Sequence, residues 1–391
     1  MRQGTFQWMK SVNKSTILNK IRTDAPISRA QIAKETTLTP PTVSSNVKEL
    51  IEEGLVKESQ LGESQGGRKP TMLLINHQSL YVIGVDAGPE MIECILVDLS
   101  GEVIQRASSK LQIPINNTEF LTTLKNCIHT CLQATPSLLP KVIGIGVAMH
   151  GVVEIETGTS LFAPILGLTN IPIKEELEKE FEVDVKVEND ARAMALGESW
   201  FGDHGDVSSM LVVNIGRGVG AGLVIDGKLY HGAQDIAGEV GHMTIDLHGD
   251  VCECGNRGCL QTFITGPSIV RRVKNHILQE QQDFQLITGE KVYELATSGH
   301  EAFATLFRET GEIIGIGLTN LIHIINPEKI VLGGGVTKSK KFILPEILNT
   351  IEARALTPRA RQTVVTMTKL GDDATLMGAV SLLLVDLFDP V

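Results

Sequence analysis

The sequence predicts two structural classes in one chain: a mainly helical winged helix-turn-helix over residues 1–78, then a large α/β body over 79–391. Three observations carry this. Residues 1–78 hold three short helical patterns followed by two strand patterns around a glycine-rich tip. From "YVIGVDAG" onward, apolar strand runs alternate with helical ones. Charge divides the chain at the same place: residues 1–80 hold eleven Lys/Arg against seven Asp/Glu, the remainder 24 against 39, and the whole is net −11. A basic head on an acidic body confines contact with nucleic acid to the head.

In the head, Ile17, Leu18 and Ile21 form the stripe of a first helix. "ISRAQIAKET" reads as a second, with Ser28 as its N-cap. After the turn "TLTPP" a third helix starts near Pro41, with Val43, Val47, Leu50 and Ile51 on one face. Its other face offers Thr42, Ser44, Ser45, Asn46 and Lys48, short or basic side chains suited to a major groove. In "GLVKESQLGESQGGRKPTMLLINH" two strands flank a wing tip, where Arg68 and Lys69 suit a minor groove or its phosphates. The plainer alternative is a three-helix interaction module, against which the polar third helix and the basic tip both argue.

In the body, strands are expected at 141–149, 183–189, 210–216, 221–227 and 329–335, and helices at 118–133, 190–200, 302–325 and 374–389. Glycine loops close three of the strands, where backbone N–H groups can receive a ligand. No apolar run is long enough to span a membrane, and "MRQGTFQWMKSVNKS" lacks the core of a secretion signal, so a cytoplasmic protein is expected. Cys94, Cys127 and Cys131 read as scattered buried thiols. His242, Cys252, Cys254 and Cys259, in the form H-x9-C-x-C-x4-C, suit a closed tetrahedral Zn²⁺ site with no open position for catalysis. "END" places Asn189 and Asp190 between a strand and a helix, where they can cap the helix or pair with neighbouring hydroxyls of a ligand.

"VENDARAMALGE", "GRGVGAGLVIDGKLYHG", "AGEVGHMTID", "CECGNRGCLQT" and "IVLGGGV" resemble the sugar kinases and sugar-responsive repressors of the ROK family over nearly the whole chain. "SQGGRKPTMLL" and "GHMTID…CGNRGC" are most similar to its xylose-responsive repressors from low-GC Gram-positive bacteria. The resemblance implies an actin-like, two-lobed body of the sugar-kinase superfamily, with zinc on the cysteine motif, a sugar in the cleft and a dimer or tetramer. Lobe I is expected over about 79–190 plus the helix 374–389, and lobe II over about 191–373. Asn189, Asp190, Glu239, His242 and Gln261 fall on the sugar contacts, and Asp190 on the catalytic base of the kinases. His242 would serve both metal and sugar. Gln261 departs from the glutamate usual after "GCL", which puts the choice of sugar in doubt.

The kinases carry a loop resembling D-x-G-G-T-K. Here Asp86, Ala87, Gly88, Pro89, Glu90 and Met91 stand in its place, removing an N–H, a hydroxyl and a cation and adding a negative charge. Arg217 replaces the usual threonine of the second loop. Phosphoryl transfer depends on positioning and charge neutralisation, so catalysis is expected to be lost and Asp190 to be a vestigial base. The expectation is a sugar-responsive repressor of a carbohydrate operon, with operator DNA and a sugar as partners. Xylose is favoured by overall resemblance, and glucose and N-acetylglucosamine are its rivals. An active ATP-dependent sugar kinase, bifunctional or not, is the alternative.

Overall fold

The computed structural model describes residues 6–61, 70–276 and 287–388. The chain divides into two compact units, one made of residues up to Glu188 together with Ala379 onward, the other of Asn189–Gly378.

The first unit begins with the head: α1 (Phe6–Asp24), β1 (Ile27–Ser28), α2 (Arg29–Thr36), α3 (Pro40–Glu52), β2 (Val56–Leu61) and β3 (Thr71–Ile75). The strands pair antiparallel in the order β1-β3-β2. Ile17 and Ile21, Ile32, Val43, Val47 and Leu50, and Leu73 are fully buried, so each helix turns its apolar stripe onto one small core. Ser28 Oγ accepts from the Gln31 N–H at 3.2 Å and caps α2. Thr39 caps α3, and two prolines fill its first turn, where a missing N–H costs nothing. This is a winged helix-turn-helix.

The same unit continues with β4 (Tyr81–Ala87), β5 (Met91–Asp98), β6 (Val103–Lys110), α4 (Asn117–Gln133), β7 (Val142–Met149), β8 (Val152–Glu154), β9 (Thr159–Ala163), β10 (Leu168–Ile171), α5 (Ile173–Phe181) and β11 (Asp184–Asn189). Its main sheet runs β11-β7-β4-β5-β6, and β8 to β10 form a small separate sheet. Cys94, Cys127 and Cys131 are buried, but they are not scattered. The Cys131 thiol points at the Cys94 carbonyl, 4.0 Å away, and the Cys127 thiol at that of Ile92, 3.6 Å away.

The second unit contains α6 (Asp190–Phe201), β12 (Ser209–Ile215), β13 (Val219–Ile225), β14 (Lys228–Tyr230), α7 (Gln261–Ile264), α8 (Gly266–His276), α9 (Gly289–Thr297), α10 (Glu301–Ile325), β15 (Lys329–Gly333), α11 (Lys340–Arg354) and β16 (Val364–Met367). Its sheet runs β14-β13-β12-β15-β16. Both main sheets therefore share one plan: an antiparallel three-strand meander whose first strand pairs in parallel with the fourth.

The last helix, α12 (Ala374–Phe388), has Leu376, Ala379, Val380, Leu384 and Phe388 buried within the chain. A Cβ on Gly146 of β7 would meet the Ala379 carbonyl oxygen at 1.8 Å, which measures how closely helix and sheet approach. The Phe388 ring lies 5.5 Å beneath the guanidinium of Arg22 in α1. This apolar segment is thus an internal element. Among the described residues no helix is long and apolar enough to cross a membrane.

Candidate functional site

The second unit gathers the four metal-ligand candidates. One donor atom each from His242, Cys252, Cys254 and Cys259 lies within 4.8 Å of all the others. Cys254 Sγ and Cys259 Sγ are 3.7 Å apart, and Cys252 Sγ and His242 Nδ1 are also 3.7 Å apart. Tetrahedral bonds of about 2.3 Å to sulfur and about 2.0 Å to nitrogen would separate such atoms by roughly 3.6–3.8 Å, so the donor set fits one zinc-like ion. A disulfide would need sulfurs at about 2 Å.

Local backbone explains the convergence. The Cys252 N–H donates to the Asn256 carbonyl at 2.7 Å and the Gly255 N–H to the Cys252 carbonyl at 2.9 Å, closing a tight turn. Gly258 has φ +65°, and a Cβ there would meet the Asp246 carbonyl oxygen at 1.5 Å. The three sulfurs, packed this closely, influence one another's ionisation. Cys254, exposed, is pulled down to about 7, chiefly by the Asn256 backbone N–H. Cys259 is pushed up to about 12 by burial and by the neighbouring sulfurs.

Two other expected residues touch this cluster. With Nδ1 turned to Cys252, His242 leaves Nε2 on the Glu239 side, 3.9 Å from Oε2. Gln261, the first residue of α7, donates its Nε2–H to Cys252 Sγ at 3.3 Å. A glutamate there would instead bring a carboxylate to a sulfur that must be anionic to bind metal.

Asn189 and Asp190 start α6. Asn189 Oδ1 accepts from the Ala191 and Arg192 N–H groups at 3.0 and 3.1 Å, so it does cap the helix. Asp190 Oδ1 accepts from the Ala191 N–H at 2.9 Å. Although Asp190 is half-buried by surface area, protein atoms crowd its carboxyl and push its pKa up to about 6; the Ala191 N–H, Arg192 and Asn189 oppose the shift. Burial also raises Glu239, against the pull of His242 and Arg192, with Asp190 adding to the rise. Two carboxyls, an amide and an imidazole make a set of hydroxyl partners.

Sequence reasoning passed over Arg192. It is 2% exposed, and its Nη1 donates to the carbonyls of Asp235 at 2.6 Å and Ala237 at 3.4 Å. Its partners come from a segment some forty residues away, so the sequence held no signal for it.

The glycines of "GRGVGAG" divide in two. Around Gly216 and Gly218 there is open space, whereas a Cβ on Gly222 would meet the Ala195 Cβ at 2.4 Å. The later glycines let α6 lie directly on β13, and only the earlier ones are free to face a ligand. In the first unit, Gly88, Pro89 and Glu90 form the short connection between β4 and β5.

On α3, Ser44, Ser45 and Lys48 are exposed and Thr42 is half-buried, its hydroxyl 2.8 Å from that of Thr39. Asn46 is a correction. It is 4% exposed and donates Nδ2–H to the Thr42 carbonyl at 2.8 Å, so it faces the core side of the helix. Arg68 and Lys69 lie outside the described residues.

Comparison with known proteins gives this architecture its family. Residues 82–385 match the ROK family, and residues 13–57 match a winged helix-turn-helix DNA-binding family. The chain belongs to the ROK family, with the actin-like sugar-kinase fold in its body. It is 34% identical to the xylose repressor of Caldicellulosiruptor bescii over 98% of both chains. It is similar, at a TM-score of 0.86 and 28% identity over 97% of this chain and 98% of the other, to a crystal structure of a ROK family transcriptional regulator described as a homolog of the E. coli MLC protein. A ROK family glucokinase from Streptomyces griseus, solved with glucose and AMPPNP, matches 77% of this chain and 98% of its own at a TM-score of 0.69 and 26% identity. The residues that this kinase leaves unmatched are about as many as the head contains.

Proposed function

We propose that this chain is a transcriptional repressor of a carbohydrate-utilisation operon, responsive to a sugar, and that the sugar is xylose. One observation carries the reading: a DNA-binding head with a polar exposed α3 face shares a chain with a ROK body that keeps Asn189, Asp190, Glu239 and His242. We take residues 1–78 as the DNA-reading domain and 79–391 as the sugar-binding body. Ser44, Ser45, Lys48 and Thr42 face the operator, and Arg68 and Lys69 are assigned to its backbone by their charge. Such a repressor works in the cytoplasm, and a homodimer places two heads on a palindromic operator.

In the sugar site, the Asp190 and Glu239 carboxylates accept from neighbouring hydroxyls, and Asn189 and His242 fix their orientation. A sugar that binds the DNA-free state more tightly than the DNA-bound state releases the operator; coupling of about 1–3 kcal/mol is usual. The metal is zinc, held by His242, Cys252, Cys254 and Cys259, whose sulfur and nitrogen donors at 3.7 Å suit that ion. When bound, it supplies charge that keeps the thiolates together. This chain's own part is to hang Gln261 and His242 from that fixed loop.

The protein is not a competent kinase. Pro89 offers no N–H to a phosphate, Glu90 repels it, and Met91 supplies no cation. The second reading, an active sugar kinase, is favoured by one observation: Asp190 at about 6 lies close to the working range of a general base. Coupled ADP release with xylose or glucose tests it, and turnover on the order of 1–100 per second would establish it. The main test is fluorescence anisotropy of the protein on DNA from upstream of its own gene, titrated with xylose, glucose and N-acetylglucosamine. Xylose is expected to release the DNA; tight binding that no sugar alters would sink the reading.

A further inference from the structure

Among the described residues Arg192 is the largest fully buried side chain, and nothing in the chemistry proposed so far uses it directly. An arginine stays charged in any protein environment, so burying one is costly unless its donors and its charge are answered. Here Nη1 is met by two backbone carbonyls, and the charge acts on the Asp190 and Glu239 carboxyls. The Arg192 backbone N–H donates to Asn189 Oδ1 at 3.1 Å, and its Nη1 reaches the Asp235 and Ala237 carbonyls at 2.6 and 3.4 Å. One residue thus holds both the cap of α6 and the segment that leads into Glu239.

The far end of that segment is pinned separately. The Ala221 N–H of β13 donates to the Gly238 carbonyl at 2.8 Å. Gly238 has φ +100°, and a Cβ there would meet the Ala221 carbonyl oxygen at 1.9 Å, so the backbone passes β13 with no room to slide. Asp235 itself holds φ +56°, uncommon for a residue with a side chain. Residues 235–238 are therefore fixed at both ends, by Arg192 and by β13, and Glu239 follows at once. The guanidinium charge also favours the ionised forms of Asp190 and Glu239.

We infer that Arg192 is a positioning residue for sugar recognition, setting the Glu239 carboxylate in register with Asn189 and Asp190 by gripping the Asp235 and Ala237 carbonyls. The inference rests on the proposed sugar site and deepens it. Arg192 touches no sugar; it acts through the segment it holds. A lysine keeps the charge but ends in a compact ammonium on a flexible stem, and so holds the two carbonyls that Nη1 reaches less rigidly. A methionine keeps the bulk and loses both.

The test compares the full-length protein with Arg192→Lys and Arg192→Met by operator anisotropy, titrating xylose and its C2 epimer lyxose, alongside thermal melting. Because the head can bind the operator by itself, the melting transition reports whether the body of each variant is folded. The expected result is a release midpoint weakened about ten- to hundredfold for xylose, the size of one or two charge-assisted hydrogen bonds, with Lys milder than Met. The ratio of xylose to lyxose midpoints should narrow as well, because a misplaced carboxylate no longer distinguishes the orientation of a hydroxyl. Unchanged midpoints and ratio in both variants would overturn the inference. So would an equal weakening for both sugars together with a lowered melting temperature, which marks Arg192 as a core residue alone. If the unaltered protein ignores every sugar, the sugar site itself fails, and the inference falls with it.

Discussion

The metal loop and the third helix of the head were both legible as functional stretches, yet the structure treats them differently. In the loop, all four expected donors converge within 4.8 Å. On α3, four of five expected residues keep some exposure and Asn46 turns inward. The loop's spacing leaves little freedom, because an eight-residue span with glycines at its turns has few ways to be compact. A helix face is decided by what packs beneath it. At 3.6 residues per turn, Asn46 sits between Val43 and Val47 on the buried flank, and its amide folds back onto the Thr42 carbonyl. Convergence on one point is written in spacing, and orientation toward solvent is written in the partner surface.

The comparison breaks most decisively at the metal. Cys259→Ala removes a fully buried donor, and the bound metal is expected to fall from one zinc per chain to near none. Structural zinc supplies on the order of 10 kcal/mol to the folding of small sites, so the segment 242–261 should lose its order and the xylose response should go with it. Operator binding by the head should persist. Elemental analysis beside DNA anisotropy checks both halves. A variant with full zinc content, or an unaltered protein that binds none, would remove the metal from the account.

Between these extremes lie Asn189 and Asp190, where capping and ligand binding overlap. The folded-state pKa of Asp190, about 6, lies above its ordinary 3.8, so the fold penalises the charged form. That penalty is absent below pH 3.8, grows as pH rises, and is complete above about 6. Asp190→Asn should therefore stabilise the protein by up to about 3 kcal/mol at pH 8 and hardly at all near pH 4. It should also weaken xylose release, since a carboxylate accepts from hydroxyls more strongly than an amide. Melting temperatures at the two pH values test the first claim. Equal effects at both would mean that the carboxyl is solvated in the folded state.

Much of the fold was readable for the same reason as the metal loop. The strands at 142–149, 184–189 and 329–333 and the helices at 117–133, 190–201 and 301–325 fall within a residue or two of expectation, because each is long and strongly patterned. The small sheet β8-β9-β10 was not readable: its strands run three to five residues and alternate too briefly to register. Arg192 escaped because an arginine two residues into a helix reads as surface, and only the tertiary approach of Asp235 and Ala237 gives it partners. Gln261 was read as a sugar contact alone, since its bond to Cys252 depends on how α7 enters from the loop. The Arg192 contacts join distant segments, where local pattern carries no information.

The finest division falls within α3 itself. Ser44, Ser45 and Lys48 are exposed, and Lys48 makes a 3.7 Å ion pair with Glu52 on the solvent face. Such a pair contributes little and yields readily to a phosphate. Lys48→Ala should weaken operator and unrelated DNA alike and lower the salt dependence of binding by about one counterion. Ser44→Ala or Ser45→Ala, where a base edge is read, should cost about 1–3 kcal/mol on the operator and little on unrelated DNA. Asn46→Ala should do neither. It removes one bond to the Thr42 carbonyl, a net effect of about 1 kcal/mol on stability, and should leave the ratio of operator to unrelated DNA unchanged. Anisotropy on both DNAs at two salt concentrations separates the three patterns. A loss of sequence preference in Asn46→Ala equal to that of the serines would mean that the amide turns outward when α3 meets its groove, and that the buried flank of this helix is part of its reading face.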